Sequence, residues 1–140
     1  MHQQEKMENQ SDLQAINNVR EAHIASLNNG DASGWAAAFT NDGVQMPPNA
    51  PANMGRESIL QWSSTFLTLF NVKFELMVEE VQVGGDWVFE RGTYKINLLP
   101  KGGGDSMDDI GKYITIYERQ SGGDWGIARD IWNSNKPPLG

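Results

Sequence analysis

The order of hydrophobic periodicities predicts an α+β domain: three helices in the first half, packed on one face of a strongly curved, mainly antiparallel sheet from the second. Three observations carry this. Capped helical stripes occupy residues 11–69, and long alternating runs joined by glycine turns follow. In the last two runs, Gly111–Gln120 and Trp125–Asn133, neither face is cleanly polar, as a strand with one side in water would be. Each face must therefore meet protein or ligand, and long twisted strands curling around helices leave a cavity at their open end.

The elements follow in order. Ser11-Asp12-Leu13-Gln14 reads as a capping box. Leu13, Ile16, Val19, His23, Ile24 and Leu27 then recur at helical spacing, with Arg20 in or beside the stripe, until Asn29-Gly30. Asp31 caps a short second helix carrying Trp35 through Phe39. Thr40 to Gly43 is a turn into a short extended stretch, Val44 to Met46. Pro47-Pro48-Asn49-Ala50-Pro51 can be neither helix interior nor central strand, so it is a fixed loop of the kind that rims binding sites. Gly55-Arg56-Glu57-Ser58 opens a third helix with Ile59, Trp62, Phe66 and Leu69 on one stripe. Strands are expected over residues 73–83, 87–98, 111–120 and 125–133, with turns at Gly84-Gly85-Asp86, at Pro100 to Asp109, and at Ser121-Gly122-Gly123. Residues 1–10 read as a disordered lead-in, 11–136 as one domain and 137–140 as a tail.

Composition removes several function classes. The chain has 140 residues, no cysteine and a formal charge of -7. Thiol and disulfide chemistry is absent, and a nucleic-acid partner would need a basic patch. No apolar run approaches a membrane span, and residues 1–10 lack a signal peptide's apolar stretch. A cytoplasmic location is the default expectation, compatible with a leader removed upstream. Gly102-Gly103-Gly104-Asp105 lacks the Lys-Ser/Thr of a phosphate loop, and Asp105, Asp108 and Asp109 lack EF-hand spacing. With His2 in the lead-in, His23 is the one histidine of the domain, so a multi-histidine metal site is not expected; no cofactor is expected either.

Strand pairing groups the polar residues. A three-residue loop at Ser121-Gly122-Gly123 would set Gln120 opposite Asp124, Ile114 opposite Asp130 and Lys112 opposite Trp132. One face then carries Lys112, Ile114, Ile116, Ala128, Asp130 and Trp132, joined by Glu90, Gly92 and Tyr94, and is expected to be concave. The other, with Tyr113, Thr115, Tyr117, Trp125, Ile127, Arg129 and Ile131, is expected to form a dimer interface. Asp130 reads as a general base or ligand anchor, with Glu90 as alternate and His23 or Tyr94 as hydrogen-bond donors. The competing reading is an Asp130–Lys112 ion pair that sets strand register, with His23 a packed core histidine. Arg20 is expected to pair with a carboxylate. Met46, Trp62, Phe66, Tyr94, Lys112 and Trp132 complete the expected ligand contacts, Trp62 and Phe66 as core residues first.

Leu27 through Asp31, Trp35 through Phe39, Asn41-Asp42-Gly43, Met46 through Pro51, Gly55 through Ile59, Arg91 through Tyr94 and Trp125 through Asn133 stand in an order and spacing that resembles the SnoaL-like, ketosteroid-isomerase-like proteins of the NTF2-like superfamily. The resemblance implies a cone-shaped α+β barrel, a small-molecule cavity between helices and sheet, and a homodimer formed through the sheet. It does not imply one chemistry, because the superfamily holds isomerases, cyclases, dehydratases and noncatalytic association modules. Steroid isomerases of this family use a carboxylate base, a Tyr and a protonated Asp. Those positions fall at or near Pro47, at His23, and near Ile114 or Thr115, so two of the three roles are empty. The expectation is a protein binding an apolar or carbonyl-bearing ligand, with cofactor-free isomerase-, cyclase- or hydratase-like chemistry, or else an association module.

Overall fold

The computed structural model describes residues 2–137, with side chains from residue 9 onward. Its elements are α1 (His2–Asn28), α2 (Ala32–Ala37), β1 (Phe39–Met46), β2 (Asn53–Met54), α3 (Arg56–Leu69), β3 (Phe70–Gly84), β4 (Trp87–Pro100), β5 (Met107–Arg119) and β6 (Trp125–Ser134). One six-stranded sheet runs in the order β2-β1-β6-β5-β4-β3. Every neighbouring pair is antiparallel except β1 with β6, which is parallel. The sheet curls around the three helices without closing, as the α+β cone requires. None of the described helices is long and apolar enough to cross a membrane.

Helix α1 differs from expectation at its start. It runs back to His2, so Ser11 lies inside the helix and caps nothing, and the residues expected as a disordered lead-in continue the helix. Asp12 instead ties α1 to the far end of the sheet, accepting from Arg119 Nη2 at 2.9 Å and Trp125 Nε1 at 3.3 Å. The expected tail falls mostly at 138–140, outside the described residues. The buried stripe of α1 mixes Ile16 and Leu27 with the polar Asp12, Arg20 and His23. A helix that buries charge on its inner face must meet partners there, and it does.

Helix α2 begins as expected, with Asp31 accepting from the Gly34 backbone N–H at 3.0 Å. The turn expected at Thr40–Gly43 is instead part of β1, where the β6 register slips between Phe39 and Val44. Phe39, Trp35, Ile59, Ile16 and Tyr117 meet in the core between helices and sheet. Two glycines on the concave side make room for tyrosine rings. Gly92 lies opposite Tyr113, and Gly111 opposite Tyr94. A Cβ at Gly111 would collide with the Tyr94 ring and the Asn133 carbonyl; one at Gly92 would strike the Met77 carbonyl and stand 3.1 Å from the Tyr113 ring. Each phenol ring lies across its glycine, and a side chain at either would push it off.

The expected β5–β6 register holds only next to the turn. Gln120 N–H donates to the Asp124 carbonyl, and Tyr117 pairs with Ile127. A bulge then absorbs Ala128, so Ile116 pairs with Arg129, Thr115 with Asp130 and Lys112 with Asn133. One inserted residue exchanges the faces of everything beyond it. The cavity side of β5 carries Tyr113, Thr115 and Tyr117, the residues expected on the dimer face. Lys112, Ile114 and Ile131 point outward, the two isoleucines 43% and 42% exposed.

Candidate functional site

Between the helices and the concave sheet lies a cavity of about 290 Å³. Its helical wall is Arg20, His23 and Leu27 of α1, Trp35 of α2, and Trp62 and Phe66 of α3. The sheet wall comprises Phe74 and Leu76 of β3, Tyr94, Ile96 and Leu98 of β4, Tyr113, Thr115 and Tyr117 of β5, and Ile127, Asp130 and Trp132 of β6; Pro47 and Pro48 form the rim. The aromatic rings brace one another. Trp62 stacks on Phe66 with centroids 5.3 Å apart, and Trp35 meets both edge-on at 5.9 Å. Trp132 closes edge-on against Trp62 at 6.2 Å.

Most expected site residues converge here, and three do not. Asp130, His23, Trp62, Phe66, Tyr94 and Trp132 line the cavity. Lys112 lies on the outer face of β5, paired with Asn133, and its Nζ donates to Asn135 Oδ1 at 3.0 Å, so no Asp130–Lys112 ion pair exists. Met46 pairs with the outward Ile131 and shares its face; the prolines after it reach the rim instead. Glu90 is on the concave side but lies beneath the lining, fully buried.

Glu90 is a satisfied anion. Its Oε1 accepts from Arg20 Nε at 2.8 Å, Arg20 Nη2 at 2.5 Å and Tyr117 Oη at 3.1 Å, and its Oε2 accepts from Tyr113 Oη at 2.6 Å. Arg20 thus has the carboxylate partner expected of it. Burial works against its charge, but the Glu90 hydrogen bond and charge more than offset this and raise its pKa. Tyr113 and Tyr117 are driven well above the ordinary phenol value, by burial first and Glu90 next. A carboxylate that accepts four hydrogen bonds, two of them from a guanidinium, is a poor base.

Asp130 is held differently. Its one protein hydrogen bond comes from Thr115 Oγ1, at 2.8 Å to Oδ1. Burial, helped by the negative charge of Glu90 and opposed by the Thr115 bond, raises its pKa to about 7. His23 is buried edge-on between Trp35 and Phe39, with Nδ1 unpartnered, and burial pushes its pKa down to about 4, so the ring is neutral. Tyr94 donates at 3.1 Å to Asp109, which also accepts from Ser134 Oγ at 2.6 Å. Burial, then Asp109, raises the Tyr94 pKa above its usual value.

Thr115, Tyr113, Tyr117, Gln45 and Asp109 are functional-site neighbours that the sequence reading did not select. Gln45 sits beside Asp130 in the parallel register and accepts from Trp35 Nε1 at 2.9 Å. The signal for the tyrosines was present: Gly111, Tyr113, Thr115 and Tyr117 alternate on one face, with Gly92 across from Tyr113.

This geometry is that of an NTF2-like cone. The SnoaL-like domain model matches residues 20–125, and the chain belongs to that family. Among solved structures, it is similar to a ketosteroid isomerase-like protein from Erwinia carotovora atroseptica SCRI1043 (TM-score 0.81, 23% identity, 89% of this chain and 97% of that one). A protein from Novosphingobium aromaticivorans, provisionally named a scytalone dehydratase, matches at TM-score 0.78 and 14% identity over 91% and 87% of the two chains. A Xanthomonas campestris protein, provisionally named a calcium/calmodulin-dependent protein kinase II association domain, matches at 0.72 and 23% over 89% and 87%. At these identities the likeness is one of fold. No curated protein matches.

Proposed function

We propose that this chain binds a small apolar or carbonyl-bearing molecule in its cone cavity and exchanges a proton with it through Asp130, without a cofactor. The observation that carries the reading is Asp130 itself, a cavity-lining carboxyl with no cationic partner among the described residues and a pKa near 7. Such a group populates both protonation states at neutral pH, which suits a general acid or base. In a carbonyl substrate, Asp130 would take the proton beside the carbonyl. The neutral His23 and the indole N–H groups of Trp62 and Trp132 are the donors of the wall available to the developing oxyanion. Tyr94 donates its hydroxyl hydrogen bond to Asp109, so toward a ligand it is an acceptor. Glu90 is left out as a base for the reasons above. The volume, at the lower edge of the roughly 300–1,000 Å³ common for small-molecule sites, suits a compact ligand. The proposed assembly is a homodimer through the convex sheet face, supported by the exposed Ile110, Ile114 and Ile131 there.

The test is a melting-temperature screen with steroids, polyketides and aromatic acids. A true ligand at 100 times its Kd adds about 2.7 kcal/mol, a shift of several degrees. Asp130→Asn should keep the fold and lower turnover of that ligand at least ~100-fold. A screen in which nothing raises the melting temperature contradicts the reading, and unchanged turnover in Asp130→Asn removes that residue from it. A second reading, a noncatalytic association module, is favoured by the same exposed isoleucines; it requires a dimer at micromolar concentration, and a monomer in sedimentation would exclude it.

A further inference from the structure

We propose that Thr115 is a positioning residue for Asp130: its hydroxyl holds Oδ1, so that Oδ2 is the oxygen delivered to a ligand. This rests on the role given to Asp130 above and deepens it by dividing the work between the two carboxyl oxygens.

Thr115 pairs with Glu90 on one side and with Asp130 on the other, so Glu90, Thr115 and Asp130 form a row across β4, β5 and β6 on the concave face. Gln45 extends the row on β1. Thr115 is the spacer between two acidic side chains, and its single hydroxyl proton can serve only one of them. Glu90 already accepts four hydrogen bonds. The Thr115 proton goes to Asp130 Oδ1, at 2.8 Å. Oδ2 makes no hydrogen bond among the described residues, although Asp130 lines the cavity. Thr115 is 5% exposed and branched at Cβ, so its hydroxyl has little freedom to turn away.

Among the described residues no other group makes a hydrogen bond to the Asp130 carboxyl. From β4 the group nearest in register is Glu90, of like charge. Tyr113 and Tyr117 on β5 donate to Glu90. On α1, Arg20 is spent on Glu90 and Asn17, and the buried His23 is neutral. Asp109, also on the cavity wall, is another acceptor. From β1, Gln45 gives its carbonyl to Trp35, and its amide nitrogen reaches no acceptor. Thr115 alone fixes which way the Asp130 carboxyl faces.

The experiment is a carbon-13 NMR titration of the Asp130 carboxyl in the full chain, with Asp130→Asn used to assign the signal. A hydrogen bond to the charged form lowers a carboxyl pKa, so its loss raises it. Thr115→Val, nearly isosteric, should move the midpoint up by about one pH unit. Thr115→Ser, which keeps the hydroxyl, should titrate close to the wild-type chain. A Val variant that titrates with the wild type overturns the proposal, as does a Ser variant shifted as far as Val. No ligand enters this measurement, so its failure is separate from failure of the ligand screen.

Discussion

Two carboxylates stand on the same concave face, two strands apart in one row, and the protein treats them in opposite ways. Glu90 is fully buried, yet a guanidinium and two phenols meet every demand of its charge. Asp130 is only partly buried, yet receives one hydroxyl and no cation. The difference teaches that burial alone does not mark a reactive acid. What marks it is how much of the missing hydration the surrounding donors replace. The Arg20–Glu90 pair ties α1 to β4. Asp130 keeps one carboxyl oxygen without a hydrogen bond among the described residues, and the proposed proton exchange rests on that oxygen.

The largest effect that would break this contrast lies at the Glu90 end. Arg20→Met strands a buried carboxylate with only phenol donors, and should cost about 3–5 kcal/mol in urea unfolding. A loss below 1 kcal/mol would show that Arg20 and Glu90 are not a working pair. The smallest lies on the outer face. Lys112→Ala should change stability by no more than about 0.5 kcal/mol and leave ligand binding untouched, because Lys112 faces away from the cavity. A strong loss of binding would return Lys112 to the site and undo the corrected register.

Much of the architecture was legible because it rests on periodicity. Helix stripes, the Asp31 cap and the glycine turns each have a local physical cause, and β3 to β6 fall within a few residues of expectation. Family resemblance then agreed with the cone. The site was only half legible. Glu90, Tyr94, Asp130 and Trp132 were set on the concave side, and the structure has them there. Tyr113, Thr115 and Tyr117 were expected on the other face and Lys112 on this one, and two things separate that expectation from the structure: the bulge at Ala128, and a β4–β5 register that pairs Glu90 with Thr115. An extra residue in a strand is decided by how the whole sheet curls, and alanine carries no mark of it. Nor could local pattern reveal that Glu90 would have four donors, since these come from α1 and β5, far along the chain.

The most direct test is the pH dependence of unfolding free energy in the wild-type chain and Asp130→Asn. Asp130 binds its proton with a pKa of about 7 when folded and near the ordinary carboxyl value of 3.8 when unfolded. Between those values the folded state holds more protons, so this group makes the wild type lose stability as pH rises from 4 to 7. His23, with its folded pKa lowered to about 4, gives the opposite slope over pH 4 to 6.5, but it is present in both proteins and cancels in their difference. The stability of Asp130→Asn relative to wild type should therefore grow by roughly 2–4 kcal/mol between pH 4 and 7 and then level off. A difference that stays constant across that range would mean Asp130 is an ordinary ionised carboxylate, and the proton-exchanging cavity would have no basis.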